Sequence, residues 1–502
     1  MGRIMGRVSS AAVAAALAPD RLSPLPLYRQ LYEKLRHQIL TRAFGPGQQI
    51  PSTRVLAADL AISRNTVMNA IEQLIAEGYL EGEAKTGTFV ADVIPEEMTS
   101  VDPTLPERPV RAPRDPRWSQ FGARLANQEM RPGSREILPH PFRPGLSAFE
   151  DFPFDIWSRL ANRHWRSPSR SVLTYGDPAG YLPLRRAILN YMTVARGVRG
   201  SPEQVIIVAG AQQGIDLTAR LLLDPGDSVW MEEPGYFGAA GAFRAAGASM
   251  VPVPVDESGL IVRVGVVRAP HAKLVCVTPS HQFPRGVTMA LTRRLELLNW
   301  AGKADAWILE DDYDSEYRYA GRPIPALQGL DRSDRVIYLG TFTKVLFPSI
   351  RLAFLIVPPD LVDRFVAAKA IADRQAPIPD QAILADFMSE GHFGRHIRRM
   401  RTLYLERAET LVKSIEAHLK GVIEVDFPQA GMHTIGWLRE GTSDREVSHR
   451  AADAGIFVWA LSSSYWQSAI AERPGVVFGF APYRVEAIVE GVRTLARVLK
   501  ST

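Results

Sequence analysis

The sequence predicts an α/β protein with a small helical head, a spacer, and a large domain built on a mostly parallel sheet. Three observations carry this. Leu27, Leu31, Leu35, Ile39 and Leu40 recur at helical spacing near the N-terminus. Ten prolines fall between Pro95 and Pro144. From Phe149 onward, short apolar runs alternate with helical segments, as buried strands alternate with covering helices.

At 502 residues the chain is too long for one core, and ordinary domain sizes suggest roughly three or four units. Apolar content of 46% suits well-buried cores. A net charge of +5 does not by itself argue for a polyanionic partner, and residues 1–95 carry ten Lys/Arg against eight Asp/Glu. The single cysteine, Cys276, excludes an internal disulfide and a cysteine metal cluster. The ten histidines show no metal-ligand spacing, so no metal is expected. No stretch approaches the roughly 18 apolar residues of a membrane span, and the chain reads as soluble and cytoplasmic. Residues 1–24, alanine-rich after Arg3 and Arg7, read as a disordered leader.

The head occupies residues 25–92. Its first helix covers 26–42 and breaks at Ala43-Phe44-Gly45-Pro46-Gly47. A second starts after Pro51-Ser52, with Ser52 or Thr53 as cap. A third runs from Ser63 to about Glu77, where Gly78 ends it. Tyr79-Leu80-Glu81 and Gly87-Thr88-Phe89-Val90 then form a hairpin. A helix-turn-helix lays its second helix in the major groove. Here that helix opens Ser63-Arg64-Asn65-Thr66. Its hydroxyls and backbone N–H groups suit phosphate, Arg64 suits guanine or phosphate, and Asn65 suits adenine. Arg54 is placed to clamp backbone, and Gly87 lets a tight wing approach the minor groove. Taken singly, Ser63 is only a helix cap and Arg64 only a solvated side chain. As an ordered set they resemble the GntR-type winged helix over some 65 residues. That resemblance implies Arg54, Ser63, Arg64, Asn65, Thr66 and Gly87 as contacts to a double-stranded DNA operator.

Residues 93–145 hold those prolines, with seven arginines between Arg108 and Arg135, and read as a Pro/Arg-rich linker that lets two domains move independently. Residues 146–502 form the large domain. Gln204–Val208, Ser228–Met231, Lys273–Val277, Ala306–Leu309 and Arg335–Leu339 read as its strands. After about Pro358 the chain turns helical, then forms a smaller α+β unit ending near Lys500.

Several strand ends carry chemistry. Lys344 follows one strand, with Thr341 three residues before it and Arg351 seven after. An amine flanked by a hydroxyl and a guanidinium suits a Schiff base beside a phosphate. Asp311 ends another strand, where ligand groups of open α/β sheets collect. A carboxylate there keeps a pyridine nitrogen protonated, and Tyr313 can donate to a ring oxygen. Asp312 and Asp314 read as structural or solvent-facing. Gly210-Ala211-Gln212-Gln213-Gly214 opens a helix and offers a phosphate site. Glu232-Glu233-Pro234-Gly235-Tyr236 offers Tyr236 as a stacking ring. The loop Tyr175–Gly180 is of the kind that crosses a dimer interface.

Together these motifs resemble fold-type I aminotransferases over about 350 residues. With the head, the whole chain resembles the MocR subfamily of GntR-type regulators: a winged helix-turn-helix joined by a linker to an aminotransferase-like domain. The resemblance implies pyridoxal 5'-phosphate held by Lys344 as an internal aldimine. Asp311 then meets the pyridine nitrogen, Tyr313 the phenolic oxygen, and Tyr236 the ring face. Ala211, Gln212, Thr341 and Arg351 fall at the phosphate. Tyr175 comes from the other subunit of a head-to-tail homodimer.

Two departures bear on function. Where transaminases carry Asn-Pro-Thr-Gly, this chain has His281-Gln282-Phe283-Pro284-Arg285-Gly286, so one hydrogen bond to the cofactor is missing. The strand Gly475–Ala481 lacks the arginine that binds a substrate carboxylate, although Arg473 and Arg484 flank it. Such a pair contributes roughly 1.5–3 kcal/mol, and its absence weakens the case for an ordinary α-amino acid. A sulfonate, an amine, a cyclic amino acid derivative and pyridoxal phosphate itself are all compatible. His281, Arg285, His433 and Arg484 remain as effector contacts. The expectation is a regulator that senses an amino compound, or the cofactor, by aldimine exchange at Lys344, and not an enzyme. A working aminotransferase is the alternative. A DNA-binding repressor whose second domain only dimerises is the third reading.

Overall fold

The computed structural model describes residues 15–83, 87–96, 118–126, 140–319, 321, 324–466 and 473–500. The chain divides into two compact units, residues 1–116 and 117–502.

The first unit contains α1 (Leu27–Leu40), β1 (Gln49–Ile50), α2 (Thr53–Asp59), α3 (Arg64–Ala76), β2 (Leu80–Glu83) and β3 (Gly87–Val90). The three strands pair antiparallel in the order β1-β3-β2. One core joins Leu31, Leu35 and Ile39 of α1 to Leu56 of α2, Val67, Ile71 and Leu74 of α3, and Leu80 and Val90 of the hairpin. These are the residues that helical and alternating periodicity pick out. Only the short β1 is new to the sequence reading. The leader also differs from expectation over residues 15–24. Leu17 is fully buried in this core, and the Asp20 N–H donates to Gln30 Oε1 at 2.8 Å. Residues 1–14 lie outside the described residues. At the other end, Ile94 joins the same core. Glu96 accepts from the Tyr79 hydroxyl at 2.6 Å and from Arg36 at 2.7 Å, so the head reaches beyond the boundary expected at 92.

The second unit is built on an eight-stranded sheet: β4 (Val205–Val208), β5 (Ser228–Glu233), β6 (Ser249–Asp256), β7 (Gly259–Leu260), β8 (Leu274–Val277), β9 (Trp307–Asp312), β10 (Val336–Thr341) and β11 (Ala353–Ile356). Their order is β4-β11-β10-β9-β8-β5-β6-β7. β6, β5, β8, β9 and β10 run parallel, and β11 is antiparallel to both neighbours. Alternate residues face opposite layers: Val205 and Ile207 of β4 join one core, Ile206 and Val208 another. The sequence reading omitted β6, β7 and β11. In β6, Pro252 and Pro254 disguise the strand. β7 pairs only with Val255 and Asp256, so most of the outer edge of β6 needs no N–H donors.

Part of the expected linker belongs to this unit. α4 (Gln120–Ala126) is held by an Arg124 Nε bond of 3.2 Å to the Ala245 carbonyl. Phe142 is fully buried between layers. Residues 97–117 and 127–139 lie outside the described residues. The smaller C-terminal part carries an antiparallel sheet of β12 (Ile423–Val425), β13 (His433–Leu438), β14 (Trp459–Ala460) and β15 (Gly475–Gly479), in the order β12-β13-β15-β14. Helices His392–His418 and Val485–Lys500 share its core through Leu411, Ile415, Val492 and Leu495.

Candidate functional site

The parallel strands end on one edge, and their C-terminal residues meet around a cavity of about 260 Å³. Lys344 lies three residues beyond β10, and its Nζ donates to the Gly145 carbonyl at 2.6 Å. Burial pushes its pKa below the ordinary lysine value, opposed by Asp314 and Asp311. Asp311, at the end of β9, is only 7% exposed, and its Oδ1 has no hydrogen-bond partner. Burial raises its pKa to about 7, helped by Asp312 and Glu232 and opposed by Lys344. This carboxylate is therefore built to receive a positive partner.

Arg351 sits in the left-handed backbone region at φ 49°, which turns its guanidinium back toward β4. There Nη2 donates to the Ala209 carbonyl at 2.8 Å. Gly210 has φ 100°, and a Cβ there would lie 2.9 Å from Arg351 Nη2. Only glycine lets the guanidinium reach the N-terminus of the next helix, Ala211–Leu222. Ala211, Gln212 and Thr341 line the same end of the cavity.

The remaining walls are aromatic. Tyr236 and Tyr313 line the cavity, and Phe283 touches both edge-on, with ring centroids at 6.1 and 6.2 Å. Phe283 also meets His433 and Trp459 of the smaller part, at 5.6 and 6.0 Å. Eight of the nine cofactor residues read from sequence thus surround one space: Lys344, Asp311, Tyr313, Tyr236, Ala211, Gln212, Thr341 and Arg351. Tyr175 does not. It is 76% exposed under the Arg374 guanidinium, which lies 4.2 Å from its ring centroid.

The residues expected at the effector divide. His433 lines the cavity, with its pKa pushed down to about 3 by burial and by His281. His281 is buried behind Tyr313 and does not line the cavity. Arg285 turns away, donating to the Val255 carbonyl and to Glu257 at 3.1 Å, and borders a separate cavity with Arg473. Arg484 is exposed on the surface, 3.7 Å from Glu150. Sequence distance hides those acidic partners, so neither arginine's direction was legible. Asp314 is not solvent-facing. It is buried, and both its oxygens lie within 3.1 Å of His281 Nδ1. Asp312 is structural, paired with Arg196 at 3.0 Å. Ligand atoms of His281, Asp314 and His433 lie within 4.8 Å of one another, a grouping that sequence spacing does not reveal.

Sequence reasoning missed Thr343, Thr278, Met432 and Trp459, which also line the cavity. Thr343 Oγ1 is buried without a partner, and its place in Thr341-Phe342-Thr343-Lys344 was the available signal. Trp459 gave none.

In the head, Ser63 caps α3, accepting the Thr66 N–H at 3.1 Å, with the two hydroxyls 2.8 Å apart. Arg54, Ser63, Arg64 and Asn65 are exposed. Arg64 Nε lies 3.3 Å from Thr53 Oγ1, so α2 and α3 begin side by side. Gly87 has φ 131°, and a Cβ there would lie 2.4 Å from Gln49 Nε2. Its lack of a side chain thus serves the packing of β3 on β1. Residues 84–86, at the wing tip, lie outside the described residues.

Residues 27–90 match the bacterial regulatory proteins of the gntR family, and residues 149–473 match the aminotransferases of class I and II. The chain is 41% identical over 480 residues to the probable rhizopine catabolism regulatory protein MocR of Rhizobium meliloti, covering 95% of each. It is 31% identical to the pyridoxine biosynthesis transcriptional regulator PdxR of Corynebacterium glutamicum, over 93% of this chain and 94% of that one. Among solved structures, the α-aminoadipate aminotransferase LysN of Thermus thermophilus, complexed with N-(5'-phosphopyridoxyl)-L-leucine, aligns with a TM-score of 0.68 at 30% identity. That alignment covers 75% of this chain and 96% of LysN. With both domains present and similarity running through nearly the whole length, the chain belongs to the MocR-type transcriptional regulators of the GntR family.

Proposed function

We propose that this regulator binds pyridoxal phosphate in the cavity around Lys344 and uses it to sense an amino compound. One observation carries the reading: a half-buried lysine, a buried carboxylate with an unpartnered oxygen, and a guanidinium at a helix start all face one space. The residues fit the group. Asp311 complements a protonated pyridine nitrogen, and the Tyr313 hydroxyl complements the ring oxygen. Arg351, Thr341 and the backbone at Ala211 and Gln212 complement the phosphate. When bound, pyridoxal phosphate supplies an aldehyde that amines exchange onto.

The chain's own residues set the rest. Burial favours the neutral Lys344 amine, the form that attacks a carbonyl. Phe283 and Trp459 exclude water from the ring. Tyr175, exposed in one chain, reaches the pocket of a partner subunit in a head-to-tail homodimer. The head holds a double-stranded operator through Arg54, Arg64 and Asn65, in the cytoplasm. Effector binding then changes operator affinity through a coupling of about 1–3 kcal/mol.

A working aminotransferase is the second reading, favoured by the complete set Lys344, Asp311, Tyr313 and Arg351. Against it, Arg351 is the one guanidinium among the described residues lining the cavity, and it stands at the phosphate end. No arginine there remains for a substrate carboxylate. The relatives carry names as different as rhizopine catabolism and pyridoxine biosynthesis, so similarity alone does not choose the effector. Titrating the cofactor-loaded protein with amino acids, amines and aminosulfonates, while following both the visible spectrum and turnover to keto acids, tests the choice. Common α-amino acids should act only at about millimolar concentration, near −4 kcal/mol. Rapid turnover with any of them would favour the enzyme.

A further inference from the structure

We infer that His281, fixed by Asp314, is a positioning residue that aims the Tyr313 hydroxyl into the cofactor cavity and links that aim to the seating of the C-terminal part. The inference rests on the reading of this cavity as a pyridoxal phosphate site.

Two buried groups, Asp314 and His281, and the half-buried Tyr313 form the chain of contacts. Both oxygens of Asp314 face His281 Nδ1, at 3.0 and 3.1 Å. The Tyr313 hydroxyl lies 3.1 Å from the same nitrogen. An ionised carboxylate only accepts, so Nδ1 carries the hydrogen and points it at Asp314. The Tyr313 oxygen finds no lone pair on that nitrogen to donate to, and shares the same N–H as a further acceptor. Its own proton must then be donated elsewhere, and the cavity is where Tyr313 faces. Without His281 the hydroxyl could turn its proton inward, toward Asp314.

The C-terminal part presses on the same ring. The His433 ring lies 4.8 Å from that of His281, and His433 Nε2 lies 3.1 Å from the Pro284 carbonyl. A Cβ on Gly431 would sit 2.0 Å from His281 Cε1. The segment 431–433 thus seats directly on His281, and a shift of that segment moves the ring that orients Tyr313.

A double-mutant cycle on the full chain tests this, reading pyridoxal phosphate affinity and the pH at which the visible absorption band of the loaded protein converts. His281→Leu should weaken affinity about tenfold, the loss of one oriented hydrogen bond, and displace the pH midpoint. His281→Asn places an amide nitrogen near Nδ1 with hydrogens for both partners, and should stay within about threefold of the parent. In a Tyr313→Phe background, His281→Leu should add less than about twofold. Equal losses in both backgrounds, or His281→Asn as weak as His281→Leu, would overturn the relay. If His281→Leu does not fold, Asp314→Asn carries the same cycle with the same outcomes. A parent protein that takes up no pyridoxal phosphate would instead refute the reading of the cavity.

Discussion

Replacing Asp311 by Asn should stabilise the cofactor-free large unit, and the gain should appear only as pH rises. In the unfolded chain this carboxyl titrates near 3.8, and in the fold burial raises it to about 7. Below about pH 4 both states hold the proton, and the residue costs nothing. Between about pH 4 and pH 7 the unfolded state releases its proton while the native state keeps it, so native stability falls with rising pH. At about 1.4 kcal/mol per pH unit, the loss reaches up to about 4 kcal/mol above pH 7. An asparagine does not titrate and escapes this loss. Glu310, raised to about 7, and Glu316, raised to about 8, impose the same trend on both proteins and cancel in the difference, whereas Glu232, which helps to raise Asp311, is relieved in the variant and adds to its gain. All nine tryptophans lie at or beyond Trp118, so their fluorescence during urea denaturation reports this unit and not the head. The variant should match the parent at about pH 4 and exceed it at about pH 8. A difference that is flat, or that widens toward acid, would refute the reasoning. With pyridoxal phosphate present the gap at about pH 8 should narrow. The variant loses a charge-assisted hydrogen bond of about 1.5–3 kcal/mol, so its affinity should drop by about ten- to a hundredfold.

Other expectations concern the head. Ser63→Ala removes the cap of α3 and should destabilise that helix by about 1 kcal/mol, seen as faster amide hydrogen exchange in its first turn. Unchanged exchange would contradict the cap's role. Arg64→Ala should cost about 1–3 kcal/mol on a selected operator and less on random DNA. Arg54→Ala should weaken all sequences alike and flatten the salt dependence, since phosphate contacts release counterions. Identical behaviour of the two variants would refute that division of labour.

The pocket was legible because its main groups are fixed by backbone position. Asp311 and Thr341 end parallel strands, and Lys344 follows one within three residues, so a strand assignment alone places them. Where the expected effector contacts point was not legible, for the opposite reason. Arg285 and Arg484 are long side chains, and their directions depend on Glu257 and Glu150, remote in sequence. Asp314 reads only as structural or solvent-facing because nothing nearby in sequence pairs with it, yet the fold brings His281 onto it from 33 residues away. β6 was hidden by prolines that its largely unpaired edge tolerates. The buried Leu17 shows a different limit: an alanine-rich segment carries too weak a periodicity to reveal one leucine that packs into the head.

The most direct measurement is borohydride reduction of the protein loaded with pyridoxal phosphate, followed by peptide mass mapping. The phosphopyridoxyl mass should appear on the peptide containing Lys344 and vanish in Lys344→Ala. Label on a different lysine, or none in a protein that still binds the cofactor, would contradict covalent sensing at this site.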